Sequence, residues 1–173
     1  MRTLTLVALG YSVLLRSFEL ALSKHNERRL LEEGARVVPN DGMGLIALVH
    51  ALWFVALIVE ERRVGPSFSD AGLQIAFGAL FVLAEATRFW CMLTLGRRWN
   101  ARVIVLDGAP RIRKGPYRFL PHPNYVSAVV MLVALPLALG LVYTPALILV
   151  PKLWAVRHRI RIEDAALDQA APG

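Results

Sequence analysis

The chain has 173 residues, of which 56% are hydrophobic, and it carries a net charge of +7. A soluble domain of this length rarely needs so large an apolar fraction, so the composition excludes an ordinary soluble domain and indicates a membrane protein. A net positive charge can indicate nucleic-acid binding, but the basic residues here lie mostly beside apolar segments, and we expect no nucleic-acid partner. The single cysteine, Cys91, excludes an internal disulfide and predicts a packed thiol without a redox role.

Four apolar segments predict about five transmembrane helices. The segments are 3–22, 43–59, 70–95 and 124–156. Each is near or above the ~17–25 residues that span the hydrocarbon core of a bilayer. The last segment is too long for one span, and Gly140, with Pro145 and Pro151 beyond it, predicts a helical hairpin. 

The expected fold is therefore an all-α integral membrane protein with a single domain, residues 1–173. Three transmembrane helices occupy residues 1–95. A cytoplasmic loop, the helical hairpin and a C-terminal amphipathic helix occupy residues 96–173.

The basic residues predict how these helices are oriented. With five crossings, fifteen of the twenty Lys and Arg residues fall on one side, and only Arg2, Arg62 and Arg63 fall on the other. By the positive-inside rule the richer side is cytoplasmic. We therefore expect a protein of the cell (inner) membrane with its N-terminus outside and its C-terminus inside. No small-residue cleavage site follows the first segment, which predicts a retained helix rather than a signal peptide.

Polar residues within the apolar segments cluster toward the cytoplasmic side. They are Arg16, Glu19, His50, Glu85, Arg88, Asn124, Tyr125 and Ser127. The four charged residues could simply neutralise one another as two i,i+3 pairs, and the histidine could be a packed side chain bonded to a neighbouring helix. Because all of these residues lie in the inner half, a cavity that opens to the cytoplasm is the simplest explanation.

The longest polar connection follows the third helix and predicts two turns and a helix start. An Asp-Gly pair at 107–108 predicts a turn between short extended segments at 102–106 and 111–113. A Gly-Pro pair at 115–116 predicts a second turn. Pro123 suits the first position of the next helix, whose free backbone N–H groups would attract an anion such as a carboxylate. The alternative for the basic residues of this loop is contact with anionic lipid headgroups.

The tail at 152–169 predicts an amphipathic helix. Arg159 and Glu163 have the spacing of an i,i+4 ion pair. One stripe of the helix is apolar at heptad spacing, at Leu153, Ile160 and Leu167. Alone, this pattern is typical of a solvated, salt-bridged helix, but its position beside the polar loop favours a role in a binding site.

Four motifs follow one another between residues 90 and 168. They are Leu95-Gly96 with Trp99, Gly115-Pro116-Tyr117-Arg118, His122-Pro123-Asn124-Tyr125, and Arg159-Ile160-x-x-Glu163-Asp164-x-x-Leu167. Each motif alone is weak, but in this order, with a hairpin before the last, the chain resembles the isoprenylcysteine carboxyl methyltransferase (ICMT) family of integral-membrane methyltransferases. The N-terminal half, with residues 23–34, His50 and Glu60, resembles a bacterial branch associated with type III polyketide synthases, whose members O-methylate alkylpyrones.

The chain departs from the family pattern at two positions. Pro121 stands where relatives usually have an arginine, so a positive charge and its contacts are missing there. Asp164 stands for a second glutamate and shortens the reach of that carboxylate by one methylene.

The resemblance implies S-adenosylmethionine bound at the cytoplasmic face, between the loop and the C-terminal helix. The helix start would suit the methionine carboxylate, the tail carboxylates would suit the ammonium group or the ribose hydroxyls, and the tyrosines would flank the adenine or the sulfonium. The implied cofactor-binding residues are Tyr117, His122, Pro123, Asn124, Tyr125, Glu163 and Asp164. No metal site is expected.

The expected acceptor is a lipophilic molecule with a carboxylate or an acidic enol, such as a prenylated cysteine or an alkylpyrone, that reaches the site sideways from the membrane lipids. Such an oxygen is already ionised near neutral pH, so the site needs alignment and desolvation more than a general base. The candidate catalytic residues are Arg88, Arg118 and Arg159, which would steer the anionic oxygen, and Glu163. The candidate acceptor-binding residues are His50, Glu85 and Trp90.

Two other functions remain open at the level of the sequence. A phospholipid or other amine acceptor would need a base, for which His50 or Glu85 is the candidate. A non-catalytic scaffold or transport protein would not bind S-adenosylmethionine, although a transporter would be expected to show a repeat or polar residues through the whole membrane depth. The oligomeric state is not predicted.

Overall fold

Five helices, two short strands and two 3-10 helices make up the computed structural model, which describes residues 1–171. In chain order they are α1 (Thr3–Glu32), β1 (Arg36–Val37), α2 (Met43–Arg63), α3 (Ala71–Leu95), β2 (Ile104–Val105), α4 (Pro123–Ala138) and α5 (Tyr143–Gln169), with 3-10 helices at Gly96–Arg98 and Gly115–Arg118. By length and composition α1, α2 and α3 can cross a membrane, and α4 is a shorter apolar helix. The all-helical fold that the sequence predicts is thus confirmed, and the three long apolar helices are consistent with a membrane protein.

Helix α1 extends further than its apolar segment. The apolar residues end near residue 22, but the helix continues for ten residues to Glu32. Helix-forming residues fill this extension, so propensity continues the helix after hydrophobicity ends. Its side chains then reach the loop that follows α3, where they support the candidate site described below.

A glycine turn separates α4 from α5, as the sequence predicts. Gly140 has φ +79°, and a Cβ atom there would lie 2.5 Å from the carbonyl oxygen of Phe68. The backbone conformation and the close approach of the α2–α3 loop therefore both require glycine. The N–H of Ser67 donates to the carbonyl of Gly140 at 2.8 Å and fixes this contact.

The same end of the molecule is held by two carboxylates at the end of α2. Glu60 is buried and accepts the backbone N–H groups at the start of α5, those of Val142, Tyr143 and Thr144, at 2.8, 2.9 and 2.6 Å. Glu61 binds the guanidinium of Arg2 at 2.7 Å. A carboxylate at a helix start satisfies donors that the helix itself leaves free. These contacts tie α1, α2 and α5 together opposite the candidate site.

Residues 152–169 are helical, as predicted, but they continue the second arm of the hairpin instead of forming a helix of their own. Pro145 lies in the first turn of α5 and Pro151 lies inside it without ending it, so one helix of 27 residues, about 40 Å long, supplies both the second arm of the hairpin and the tail. Proline is tolerated in apolar helices where the surrounding structure satisfies the backbone group that it frees. The predicted apolar stripe is mixed, since Leu153 is 48% exposed while Ile160 and Leu167 are half-buried.

Of the two extended segments predicted in the polar loop, only 102–106 contains a strand, β2. Strand β2 pairs antiparallel with β1, which follows α1, with Arg36 opposite Val105 and Val37 opposite Ile104. The segment at 111–113 forms no strand. The Asp-Gly turn at 107–108 is present, with Gly108 at φ +74°. The partner of β2 comes from a distant part of the chain, so the loop is pinned against the end of α1.

Helix packing leaves α1 at the periphery. α3 packs closely along α4, and α5 packs on both α2 and α4, whereas α1 approaches the other helices less closely. The main core lies between α2, α4 and α5 and includes Trp53, Leu57 and Leu135. Trp53 donates its indole N–H to the carbonyl of Leu132 at 2.8 Å, which joins α2 to α4. The space between α1 and this core forms part of the candidate site.

Candidate active site

The two polar clusters that the sequence singles out meet in the structure. His122 Nε2 lies 3.2 Å from both oxygens of Asp164, and the Tyr125 hydroxyl donates to Glu163 Oε2 at 2.5 Å. The start of α4 therefore faces the last turns of α5 across a polar contact. Arg159 also takes part, since its Nε donates to the Tyr125 hydroxyl at 2.8 Å. The predicted direct pair between Arg159 and Glu163 is replaced by a bridge through the tyrosine.

Arg159 also holds two loops in place. Its side chain is 4% exposed, its Nη1 donates to the carbonyl of Asp41 at 3.2 Å, and its Nη2 donates to the carbonyl of Ala101. From the other side, the extension of α1 binds the same loop. Ser23 accepts the N–H of Ala101 at 2.8 Å, and Asn26 donates to the carbonyl of Trp99 at 2.8 Å. Residues 99–101 are thereby fixed between α1 and α5.

Asp41 is a buried member of this group that the sequence analysis did not identify. Its carboxylate accepts from Arg102 Nε at 2.8 Å and from the N–H groups of Val103 and Met43 at 3.0 and 3.1 Å. Burial alone would raise the pKa of this carboxyl, but the hydrogen bonds from Val103, Met43 and Arg102 outweigh burial and hold the pKa below its usual value. The available signal was an Asp-Gly pair directly before an apolar helix, a pattern typical of a helix start.

A polar pocket of about 70 Å³ lies between the loop, α4 and α5. Its walls include the predicted residues Tyr117, His122, Asn124, Tyr125, Arg159 and Glu163, together with Arg98, Asn100 and Arg102, which were not predicted. It continues into a second cavity of about 140 Å³, which shares Arg98, Tyr117, His122 and Glu163 and extends to Pro121 and Arg111. The two form one groove beneath the loop. On the Pro121 side, where the family's usual arginine is absent, Arg111 provides positive charge and binds Asp164 and Asp168 at 3.2 and 2.8 Å.

Two uncharged groups in the pocket are set to form hydrogen bonds. Within the described part of the chain, Asn100 Oδ1 is buried and has no hydrogen-bond partner, so it is available to a donor on a ligand. Burial raises the pKa of Tyr117, which keeps its hydroxyl protonated at neutral pH. The loop that carries Tyr117 turns at Gly115, where a Cβ atom would meet Thr94 and Trp90.

The start of α4 offers fewer free donors than the sequence predicts. Pro123 is the first residue of the helix, as expected, but the N–H groups of Tyr125 and Val126 both donate to the carbonyl of His122, at 3.1 and 3.3 Å. Proline itself has no N–H. An anion at this place would therefore depend more on the guanidinium groups of Arg98 and Arg102 than on the helix start.

A larger and more apolar cavity of about 370 Å³ lies on the membrane side of the polar pocket. It is lined by residues of all five helices, including Arg16, Glu19, His50, Phe54, Arg88 and Lys152. Asn100, Asn124, Tyr125 and Arg159 line both cavities. These four residues, called the shared wall below, are the place where ligands in the two cavities would meet.

The charged residues of the larger cavity form pairs between helices. The i,i+3 pair of Arg16 and Glu19 is present at 2.5 Å, but Glu85 does not pair with Arg88. Arg88 instead binds Glu19 at 2.5 and 3.0 Å and donates to Asn124 at 3.1 Å, while Glu85 lies 3.6 Å from Arg16. Arg88 thus joins α1 and α3 to the shared wall, and Glu85 lies behind it.

Three other predicted residues are placed differently from the expectation. His50 lines the larger cavity, but its Nδ1 bonds the carbonyl of Ile46 in its own helix at 2.8 Å rather than a neighbouring helix. Trp90 is 49% exposed and supports the turn at Gly115 instead of lining the acceptor cavity. Arg118 is exposed, and its guanidinium lies 5.8 Å from the ring of Phe119, outside the cavities described here. The structure thus brings neither Trp90 nor Arg118 to the shared wall.

The long apolar helices are typical of an integral membrane protein, and two adjoining cavities lie at one end of them. Comparison with known proteins gives the particular family. The model of the isoprenylcysteine carboxyl methyltransferase (ICMT) family matches residues 76–169, and the chain is 30% identical over 154 residues to the uncharacterized protein YpbQ of Bacillus subtilis (strain 168), covering 89% of this chain and 90% of that protein. No solved structure matches the chain. The chain belongs to the ICMT family, whose membership implies a methyltransferase that acts on a lipophilic substrate.

Proposed function

We propose that the protein transfers a methyl group from S-adenosylmethionine to an anionic oxygen, a carboxylate or an acidic enol, of a lipophilic acceptor. The observation that carries this proposal is the shared wall. A polar pocket and an apolar cavity meet at Asn100, Asn124, Tyr125 and Arg159. A polar cofactor in the first and a lipophilic acceptor in the second would meet at these residues.

The donor set of the polar groove fits S-adenosylmethionine. Glu163 is the half-buried carboxylate that would bind the ammonium group, Arg98 would bind the methionine carboxylate, and Asn100 Oδ1 is free to accept a hydrogen bond. Tyr117 and His122 supply the flat side chains that would lie against the adenine. When bound, the cofactor supplies an electrophilic methyl group on a positively charged sulfur.

An acceptor would reach the larger cavity from the lipid between α1 and α2, where residues that line the cavity are exposed. Leu20 on α1 is 47% exposed, and Ala47 and Ala51 on α2 are exposed and small. Because α1 approaches α2 loosely, an alkyl or prenyl chain could pass between them. We call this opening, formed by Leu20, Ala47 and Ala51, the lateral portal.

The residues of the shared wall would act by positioning and desolvation. The acceptor oxygen forms a bond to the methyl carbon as the carbon–sulfur bond breaks, so one negative and one positive charge disappear together and no proton moves. Such a step is faster in a dry, low-dielectric site than in water. Tyr125 and Arg159 are locked to one another and to Glu163, so they can hold the two reactants in line without rearranging.

An amine acceptor is the second candidate, and His50 is the observation that favours it. Its Nδ1 bonds a carbonyl oxygen, which can only accept, so the proton lies on Nδ1 and Nε2 is left as a base. The ring lines the acceptor cavity. An amine that loses its proton there could be methylated, but the surplus of cationic side chains around the cavity favours an anionic acceptor.

Binding of S-adenosylmethionine to the purified protein in detergent tests the proposal. We expect micromolar affinity by isothermal titration for the wild type and a loss of binding for Glu163→Ala. Glu32→Ala is the control, because Glu32 is an exposed carboxylate that lines neither cavity of the groove, and this variant should bind as the wild type does. A folded wild type that does not bind S-adenosylmethionine would instead support a non-catalytic scaffold.

A further inference from the structure

Lys152 is a buried cation that the sequence analysis did not assign to the site. It lies on α5, directly after Pro151, and is 2% exposed. It lines the apolar cavity rather than the polar pocket. Lysine side chains are almost never fully buried unless they are paired, since an ammonium group loses its hydration there.

The carboxylates around the cavity are already bound to arginines. Glu19 binds Arg16 and Arg88, both at 2.5 Å, and Glu85 lies 3.6 Å from Arg16. Asp41 binds Arg102 at 2.8 Å and lies 3.9 Å from Arg159. Across residues 1–171, Lys152 takes part in none of these ion pairs.

The cavity therefore carries a surplus of positive charge. Four cationic side chains, those of Arg16, Arg88, Lys152 and Arg159, line it together with one carboxylate, that of Glu19. The guanidinium groups of Arg16, Arg88 and Arg159 line the same cavity as the ammonium of Lys152. A buried cation among other cations is costly unless an anion joins them.

We propose that the ammonium of Lys152 binds the anionic oxygen group of the lipophilic acceptor. This inference rests on the proposed function, because it names the class of molecule that the second cavity takes. A carboxylate or an ionised enol of a 1,3-dicarbonyl type spreads its charge over two oxygens. One oxygen binds Lys152 while the other faces the shared wall, near Asn124, to which Arg88 already donates at 3.1 Å. The apolar chain then lies toward the lateral portal.

This arrangement also gives a reason for product release. The oxygen that faces the shared wall gains the methyl group, so the anion becomes a neutral ester or enol ether. A neutral product no longer satisfies the ammonium of Lys152, and its affinity falls. Lys152 is thus a residue that distinguishes acceptor from product by charge.

The test is isothermal titration of the detergent-solubilised protein with dodecanoate, methyl dodecanoate and dodecylamine. The variant is Lys152→Met, which keeps the length and apolar stem of the side chain, and Lys152→Arg restores the charge. Arg157→Met is the matched control, because Arg157 is an exposed cation on the same helix. We expect Lys152→Met to weaken dodecanoate binding by roughly 10- to 100-fold, the range for a hydrogen-bonded charge. The dissociation constants of Lys152→Arg and Arg157→Met for dodecanoate should stay within a few-fold of that of the wild type.

Thermal unfolding without ligand separates this role from a purely structural one. A buried, uncompensated cation destabilises the free protein, so Lys152→Met should raise Tm while it weakens dodecanoate binding. A structural lysine would give the opposite sign, a lower Tm. Equal dodecanoate affinity in wild type and Lys152→Met, or a preference of the wild type for methyl dodecanoate or dodecylamine, would overturn the proposal.

Titration of the same samples with S-adenosylmethionine keeps the two proposals apart. If dodecanoate binding depends on Lys152 but S-adenosylmethionine does not bind, the anion site stands and the proposed methyl transfer fails. If S-adenosylmethionine binds but the wild type and Lys152→Met bind dodecanoate equally well, the result supports the proposed methyl transfer and contradicts the anion site.

Discussion

Asp41 shows how one side chain can organise a site that it does not line. Its carboxylate accepts from Arg102, Val103 and Met43, and its backbone carbonyl accepts from Arg159. It thereby joins the start of α2 to the loop after α3 and to α5. Removing its charge would leave the buried guanidinium of Arg159 and the partly exposed one of Arg102 without their shared partner.

We expect Asp41→Asn to lower the free energy of unfolding by about 2–4 kcal/mol, the usual cost of breaking a buried charged hydrogen-bond network. The affinity for S-adenosylmethionine should fall as well, because Arg159 and residues 101–103 lose their common support. Thermal unfolding in detergent and isothermal titration measure the two effects. Asp107→Asn is the control, since the Asp107 side chain is 73% exposed. This substitution should change the free energy of unfolding and the affinity for S-adenosylmethionine very little.

The pH dependence of stability follows from the lowered pKa of Asp41. A carboxyl whose folded pKa is below its unfolded value, ~3.9, stabilises the fold fully above that value and less as the pH falls through the folded pKa. The Tm of the wild type should therefore fall below about pH 4 more steeply than that of Asp41→Asn. Parallel curves for the two proteins would show that folding does not lower the pKa of Asp41.

At the residue scale, sequence patterns identified motif residues better than single residues. His122, Tyr125, Glu163 and Asp164 stand in ordered motifs, and the structure brings them together. Lys152 was counted only among the cytoplasmic basic residues, since a single lysine in a basic tail has no pattern of its own. Its importance depends on burial, which only the packing of the helices determines.

At the element scale, the loose contact of α1 is the feature that serves function. α1 is held at three places along its length. Arg2 binds Glu61 at its start, and Arg16 and Glu19 bind Glu85 and Arg88 near its middle. Toward its end, Ser23 and Asn26 bind the loop after α3. Leu20, which is 47% exposed, lies between the second and third of these contacts, where a passage from the lipid would open.

A larger side chain at the lateral portal should obstruct long acceptors. We expect Ala51→Phe to lower kcat/KM for a long-chain alkylpyrone by roughly tenfold, equivalent to ~1.4 kcal/mol, because the ring would fill the space between α1 and α2. A pyrone with a methyl group in place of the chain should be affected much less, and S-adenosylmethionine should bind unchanged. Ala76→Phe, at an exposed alanine of α3, is the control. Equal losses for the long and short pyrones would argue against lateral access.

The helices themselves could be predicted from the sequence, but their partners could not. Length and hydropathy predicted α1, α2, α3 and the hairpin at Gly140, because these properties are local. Spacing along the chain did not predict the partner of Arg88, which is Glu19, 69 positions away. It also did not predict that β2 pairs with β1. A charge or a strand edge takes whichever partner the tertiary packing brings near, and spacing in the chain does not encode that choice.

At the scale of the whole molecule, the two longest helices in the described part of the chain extend well beyond the ~30 Å hydrocarbon core. α1 has 30 residues and α5 has 27, which correspond to about 45 and 40 Å. The C-terminal ends of both helices carry basic residues and hold the loop that covers the polar groove. The site is thus built where α1 and α5 extend beyond the apolar segments, on the side that the basic residues predict to be cytoplasmic.

This orientation can be measured with engineered cysteines, because the native Cys91 is buried and should give little background labelling. We expect a membrane-impermeant maleimide to label Ser69→Cys, in the exposed α2–α3 loop, in intact cells. Lys114→Cys, exposed in the loop before α4, should be labelled only after the cells are permeabilised. The positive-inside rule predicts this result from the basic residues alone.

The proposed chemistry requires the same orientation for an independent reason. S-adenosylmethionine is a polar, charged molecule that does not cross the hydrocarbon core unaided, so the groove lined by Glu163 and Arg98 must open to the compartment that contains it. Labelling of Lys114→Cys from outside would place the groove on the wrong side and contradict the proposed cofactor together with the topology. Labelling of both cysteines only after permeabilisation would contradict the topology while leaving the cofactor possible, because the groove would still open inward.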